Sequence, residues 1–266
     1  MTNVKTANVN LHNGVQMPIL GLGAFEIEGD VADAVLSAIR IGYRLIDTAT
    51  LYNNEAGVGE GVRRAIELGL AQREELFVTT KVWKSELGYE KTLAAFDRSF
   101  AELGLDYVDL YLIHWPDTDE LNLETWKALI ELQKQGRVKS IGVSNFEPEQ
   151  IAYITEQTGV KPVVNQVEYN PERDRRELLS YCREHDIQLQ AWGPLGKGRL
   201  LGLPLFAEIG TKYNKTPAQV ILRWHIQNDV TTIPKSSRED RMRENAEIFD
   251  FELTQEEMSR ISALGE

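Results

Sequence analysis

The stretch RLIDTATLY, residues 44–52, begins as an apolar run, stops on a carboxylate at Asp47 and reaches a phenol at Tyr52. Two other stretches behave alike: LFVTTK (76–81) ends on Lys81, and VDLYLIHW (108–115) reaches His114. Short apolar runs bounded by polar residues read as buried β-strands. In a closed barrel of alternating strands and helices, every strand's carboxyl end opens on the same face. A carboxylate, a lysine, a phenol and an imidazole, distant in sequence, would then converge on one site.

The flanking pattern predicts that barrel. VNLHNGVQMPIL (9–20) alternates around Asn13-Gly14, a hairpin turn signal. Strand candidates follow at 20–23, 43–47, 76–81, 107–115, 139–144, 163–168, 187–192 and 230–235, with helical candidates near 30–41, 54–69, 89–103, 124–136, 147–158, 174–185, 215–227 and 238–247. Eight strand–helix units in 266 residues match a (β/α)8 TIM barrel, which typically takes about 250 residues. The rival doubly wound sheet lacks its fingerprint: Gly21-Leu22-Gly23 has no third glycine and no ribose-binding acid at the right distance. With no low-complexity linker or internal repeat, residues 1–266 read as one barrel domain with an N-terminal β-hairpin.

Composition sets bounds. A formal net charge of −12 argues against nucleic acid or an anionic membrane as partner, although basic residues gather in PKSSREDRMREN (234–245). Cys182, the one cysteine, falls in a helical pattern and reads as a packed, inert thiol. The polar N-terminal residues and the lack of an apolar run near the ~20 residues of a membrane helix lead to the expectation of a soluble cytoplasmic protein, expected as a monomer.

Tyr52 carries a phenol whose ordinary pKa of about 10 is high for proton exchange near neutrality. An ammonium at Lys81 would lower it, Asp47 would hold that ammonium charged, and His114 could hydrogen-bond a substrate oxygen. Such a set suits carbonyl reduction, where an oxygen needs a proton as hydride arrives. Each residue alone has a plainer reading: Asp47 with Thr48 as a turn, Tyr52 as a rim cover, Lys81 as a solvated charge, His114 as a core imidazole. Their joint placement at three strand ends favours the functional reading. The four histidines show no zinc-ligand spacing, and no G-x-S-x-G elbow is present. Lacking metal and nucleophile, the site calls for a dissociable hydride donor.

GYRLIDTATLYNNEAGVGEGV, TTKVW, LGLDYVDLYLIHWP, GRVKSIGVSNF, NQVEYNP and IPKSSREDRMREN together resemble the aldo-keto reductase superfamily over essentially the whole chain. The resemblance implies a (β/α)8 barrel holding NADPH without a Rossmann domain, a small-molecule carbonyl substrate, and a catalytic tetrad of Asp47, Tyr52, Lys81 and His114 with Tyr52 as general acid. It further implies Ser144, Asn145 and Gln166 on the nicotinamide carboxamide, Trp192 stacked on that ring, and Gly193, Pro194, Leu195 and Gly196 beside the pyrophosphate. Lys235, Ser236, Arg238 and Arg241 would bind the adenosine 2′-phosphate, with Glu244 and Asn245 on adenine, so NADPH is expected over NADH. Leu45 stands where the family commonly has histidine, and Trp192-Gly193 replaces a common Tyr-Ser pair. In this the chain is similar to the bacterial branch typified by 2,5-diketo-D-gluconate reductase, as it is in its short segment Pro116–Glu124, a compact loop near Arg199–Phe206 and an end soon after the final helix. Phe25, Trp83 and Trp115 would wall the substrate pocket, a surface for apolar or sugar-like carbonyls. A barrel that binds NADPH as a sensor without turnover, and a metal-dependent barrel hydrolase, are the competing functions.

Overall fold

The computed structural model describes residues 7–265. Strands β1 (Asn8–Asn10) and β2 (Gln16–Pro18) pair antiparallel, with Val9 opposite Met17. Gly14 turns the hairpin at a φ of 86°, in the left-handed region that favours glycine. Eight parallel strands then pair in chain order: β3 (Gly21–Gly23), β4 (Leu45–Asp47), β5 (Phe77–Val82), β6 (Val108–Ile113), β7 (Val138–Ser144), β8 (Val164–Glu168), β9 (Gln188–Trp192) and β10 (Thr231–Thr232). Parallel bridges Leu20–Thr232 and Gly23–Lys235 join the last strand to the first, and Thr232 N donates to Ile19 O at 2.9 Å. The expected (β/α)8 barrel with its hairpin is the fold.

Helices α1 (Val31–Ile41), α2 (Glu55–Glu67), α3 (Tyr89–Leu103), α4 (Asp119–Lys134), α5 (Pro148–Thr158) and α6 (Arg176–Glu184) follow successive strands. After β9 come α7 (Pro204–Tyr213) and α8 (Pro217–Gln227), and after β10 come α9 (Glu239–Ala246) and α10 (Gln255–Ser262). Three segments depart from the expectations. Helix α4 begins inside Pro116–Glu124, because Thr118 caps it by accepting from Leu121 N and Asp119 and Glu120 sit favourably in its first turn. Part of the supposed loop near Arg199–Phe206 is the start of α7, with Pro204 at its first position. Helix α10 was not expected, yet Thr254 and Glu257 form a reciprocal capping box.

Side chains alternate along each strand between two apolar layers. Leu45, Phe77, Leu110, Leu112, Val164 and Ile233 fill the barrel, joined by Leu11 and Met17 of the hairpin segment. Ile46, Val78, Val82, Tyr111, Ile141 and Val143 belong to the larger core that includes the helices. Cys182 is buried in that core and burial pushes its thiol up to about 12, which makes it the packed thiol expected.

Close packing explains the glycines of AGVGEGV. A Cβ on Gly61 would lie 2.7 Å from Ala32 O, so α2 approaches α1 through that face. On Gly59 it would lie 1.9 Å from Leu103 O at the end of α3, an overlap that the backbone must move to relieve. Gly59→Ala is therefore expected to cost about 3 kcal/mol in urea denaturation, as overpacking against a fixed neighbour does. Gly202→Ala, where the added methyl meets nothing within 4 Å, should leave the midpoint unchanged.

Candidate active site

Strand β4 delivers Asp47 and the short helical turn Thr50–Tyr52 delivers Tyr52, while β5 delivers Lys81 and the end of β6 delivers His114. Lys81 is buried, and its Nζ donates to Asp47 Oδ1 at 2.6 Å, Thr48 O at 2.9 Å and Tyr52 OH at 3.3 Å. Three acceptors match the three hydrogens of an ammonium and not the two of a neutral amine. Burial works against the charge on Lys81, but the Asp47 carboxylate and Tyr52 more than offset it and hold its pKa above the ordinary value. Burial likewise pushes Asp47 up, opposed by Lys81.

The Tyr52 phenol departs from expectation. Burial raises it, Asp47 adds to the rise, and Lys81 pulls against both without reversing them. The lysine therefore limits a rise instead of bringing the phenol below its usual value. Because Lys81 donates to the phenol oxygen, the phenol's own hydrogen is left for another acceptor.

The His114 ring meets the Tyr52 ring edge-on with centroids 5.6 Å apart, and Trp83 lies edge-on to His114 at 5.0 Å. Burial, assisted by Lys81, lowers His114 to about 3, so the imidazole is neutral at ordinary pH.

Beyond Tyr52 a cavity of about 830 Å³ opens at the barrel mouth. Asp47, Tyr52, His114, Asn145, Gln166 and Trp192 share its lining with Lys235, Ser236, Arg241, Glu244 and Asn245. Gly193, Pro194 and Leu195 lie along it, with Gly193 and Gly196 in positive-φ turns at 61° and 57°. Asn145 Nδ2 donates to His114 O and to Ser144 Oγ, each at 3.0 Å, and its Oδ1 accepts from Trp192 Nε1 at 3.0 Å. Ser144 lies buried behind this row, donating to Gln166 O at 2.7 Å.

Not every expected residue joins the cavity. Phe25 and Trp115 line its rim, whereas Trp83 backs His114 and is absent from the lining. Arg238 is exposed and pairs with Asp240 at 2.5 Å, outside the lining. Glu26, Leu51, Lys197 and Leu201 line the mouth although the sequence reading did not single them out. They lie on turns that carry no strand-end signal.

The sequence model of the Aldo/keto reductase family matches residues 19–266. The chain is 52% identical to the glyoxal reductase of Bacillus subtilis (strain 168) over 258 residues, covering 96% of this chain and 92% of that protein. It is 40% identical to the methylglyoxal reductase DkgA of Escherichia coli (strain K12) over 260 residues, covering 96% of this chain and 92% of that protein. The crystal structure of a Bombyx mori aldo-keto reductase in complex with NADP superposes with a TM-score of 0.92 at 36% identity, covering 97% of this chain and 92% of that one.

The depressed His114 pKa has a consequence for stability. Between about pH 6.5 and pH 4 an unfolded chain takes up a proton on this ring that the folded protein refuses, so stability falls as pH falls, by about 1.4 kcal/mol per unit for one such group. His114→Gln removes the group from both states. Urea denaturation at pH 7, 6, 5 and 4 should show a shallower acid decline for the variant; parallel curves would refute the buried neutral imidazole.

Proposed function

The chain belongs to the aldo/keto reductase family, and on that footing we propose that it is an NADPH-dependent reductase acting on small neutral carbonyl compounds. α-Dicarbonyls are the preferred class, with keto sugars and aromatic carbonyls as further candidates. The observation that carries this reading is the phenol of Tyr52, hydrogen-bonded by a buried lysine and facing a cavity that Arg241 also lines. The names of the glyoxal and methylglyoxal reductases support the dicarbonyl preference. So do Phe25, Leu51, Trp115 and Leu201, which give the rim apolar surface for a neutral substrate alongside the charged Glu26 and Lys197.

The lining fits the cofactor. Gln166 and Asn145 offer amides where a carboxamide is to be held, the Gly193 turn lets backbone come close to a pyrophosphate with the Gly196 turn just outside the lining, and Arg241 and Lys235 supply cations for a 2′-phosphate. A Cβ on Gly196 would meet Leu200 Cγ at 2.9 Å, so that turn is closed to larger residues. Bound NADPH supplies a hydride to the carbonyl carbon. Tyr52 gives its proton to the carbonyl oxygen; the neutral His114 ring orients that oxygen; Lys81, held by Asp47, steadies the phenolate left behind. A non-catalytic NADPH sensor on the same barrel would have no use for a phenol poised in this way.

Following NADPH absorbance with glyoxal, methylglyoxal and a panel of aldehydes and keto sugars tests the reading. Turnover is expected for the wild type, and for Tyr52→Phe a fall of about 10²–10⁴-fold in kcat with NADPH affinity retained. Tight NADPH binding without turnover in the wild type would point to the sensor instead.

Of the cations expected at the 2′-phosphate, Lys235 and Arg241 line the cavity, while the exposed Arg238 pairs with Asp240. Arg241→Ala is expected to weaken NADPH by one to two decades, from the roughly 1.5–3 kcal/mol of a charge-assisted hydrogen bond, while NADH binding barely changes. Fluorescence titration with both cofactors decides it, and equal weakening would remove Arg241 from phosphate recognition.

A further inference from the structure

Beneath the cavity lie two buried amides, of which one has no part in the reaction just described. The period of β9 turns Gln190 to the same face as Trp192, and the register of β8 and β9 sets Gln190 directly beside Gln166. Gln166 Nε2 donates to Gln190 Oε1 at 2.7 Å and to Asp47 Oδ2 at 2.7 Å. Those two acceptors use both hydrogens of the amide. Its oxygen is thereby turned toward the cavity that Gln166 lines.

The opposite orientation is closed. It would set the Gln166 oxygen against a carboxylate oxygen and an amide oxygen, replacing two attractions by two repulsions. Asp47 alone can hold only one of the two N–H groups. Without Gln190 the second would be a buried donor with nothing to donate to, and the amide would gain by swinging out of line. Gln190 is placed in turn from below, where its Nε2 lies 4.0 Å from the Met17 thioether of β2. A chain of contacts therefore runs from the hairpin through Gln190 and Gln166 to Asp47 and Lys81.

We infer that Gln190 is a positioning residue, which fixes Gln166 so that one end of its amide meets the nicotinamide carboxamide and the other steadies Asp47. The inference rests on the NADPH reading above. Gln190 is fully buried and lies outside the cavity lining, so it acts through Gln166 and touches no ligand itself. Donation by Gln166 also favours the charged form of Asp47, and through it the ammonium of Lys81.

The test compares NADPH with 2′,5′-ADP, which keeps the phosphate-bearing adenosine and lacks the nicotinamide, on the wild type, Gln190→Leu and Gln190→Glu. Gln190→Leu removes the acceptor at similar size, and its NADPH Kd should rise about five- to tenfold, the scale of one net hydrogen bond, with 2′,5′-ADP unchanged. Gln190→Glu, which burial beside the Asp47 carboxylate keeps as the neutral acid at pH 6, retains a carbonyl acceptor and should there stay within about twofold of the wild type for both ligands. Equal weakening of the two ligands in Gln190→Leu would indicate a merely structural role and overturn the inference, as would an unchanged NADPH Kd. Should circular dichroism find Gln190→Leu unfolded, Gln190→Met, which also lacks the amide oxygen and keeps the unbranched shape, takes its place with the same two outcomes. A wild type that binds neither ligand sinks the NADPH reading itself, a different result from any of these.

Discussion

A lysine ammonium buried at the mouth of the barrel constrains everything around it. Taking an ion out of water costs several kcal/mol, which is offset only by a partner of opposite charge and by acceptors for every remaining hydrogen. Lys81 has all of these in Asp47, Thr48 O and Tyr52. Asp47, equally buried, takes Lys81 on one oxygen and Gln166 on the other. Losing either member of the pair would leave an unpaired buried charge, at about 3–5 kcal/mol. The pair thus ties together β4, β5 and β8, and a residue one strand further along the wall, Gln190 of β9, enters the same network.

The barrel makes such a network possible because its inward residues meet across a narrow interior. Narrowness depends on small residues where backbones close in: a Cβ on Gly23 would lie 2.8 Å from Ile233 O, and one on Gly142 2.6 Å from Val164 O. With no side chains at these inward positions, Gln166 of β8 reaches Asp47 of β4 across the barrel. Below this polar layer the interior is apolar, filled by Leu45, Phe77, Leu110 and Leu112 and joined by Met17. The lower layer limits water access to the ion pair from beneath and raises the premium on satisfying each polar atom above.

Sequence reading reached the barrel and the four central residues because both leave a one-dimensional trace. Period-two apolar runs mark strands, and an abrupt acid–base residue at the end of a run marks the open face, as at Asp47, Lys81 and His114. Helix starts are also written in capping chemistry, and Thr254-Gln255-Glu256-Glu257 carries such a signature. Other features leave no such trace. That Arg238 turns to Asp240 while Arg241 lines the cavity depends on rotamers at the start of α9. That Trp83 backs His114 instead of walling the pocket depends on which way the chain leaves β5. Gln190 was legible in part, since strand alternation places it beneath Trp192, but its partner is set by β8–β9 register.

The balance at Tyr52 is where sequence chemistry and structure disagree most usefully. A lysine beside a phenol suggests a lowered pKa, yet burial and the nearby Asp47 carboxylate outweigh it. On the proposed reaction this is no handicap. A phenol above its ordinary pKa is fully protonated near neutrality, and a carbonyl oxygen whose carbon takes up hydride becomes far more basic than any phenolate, so the proton still moves downhill. The charge on Lys81 then matters most after transfer, when the phenolate it faces is no longer neutral and the attraction between them is at its strongest in a site with little water. His114, neutral because the same lysine and the same burial oppose its protonation, orients the substrate oxygen without competing to supply the proton. One buried cation can in this way keep one neighbour uncharged and stabilise the charge that develops on the other.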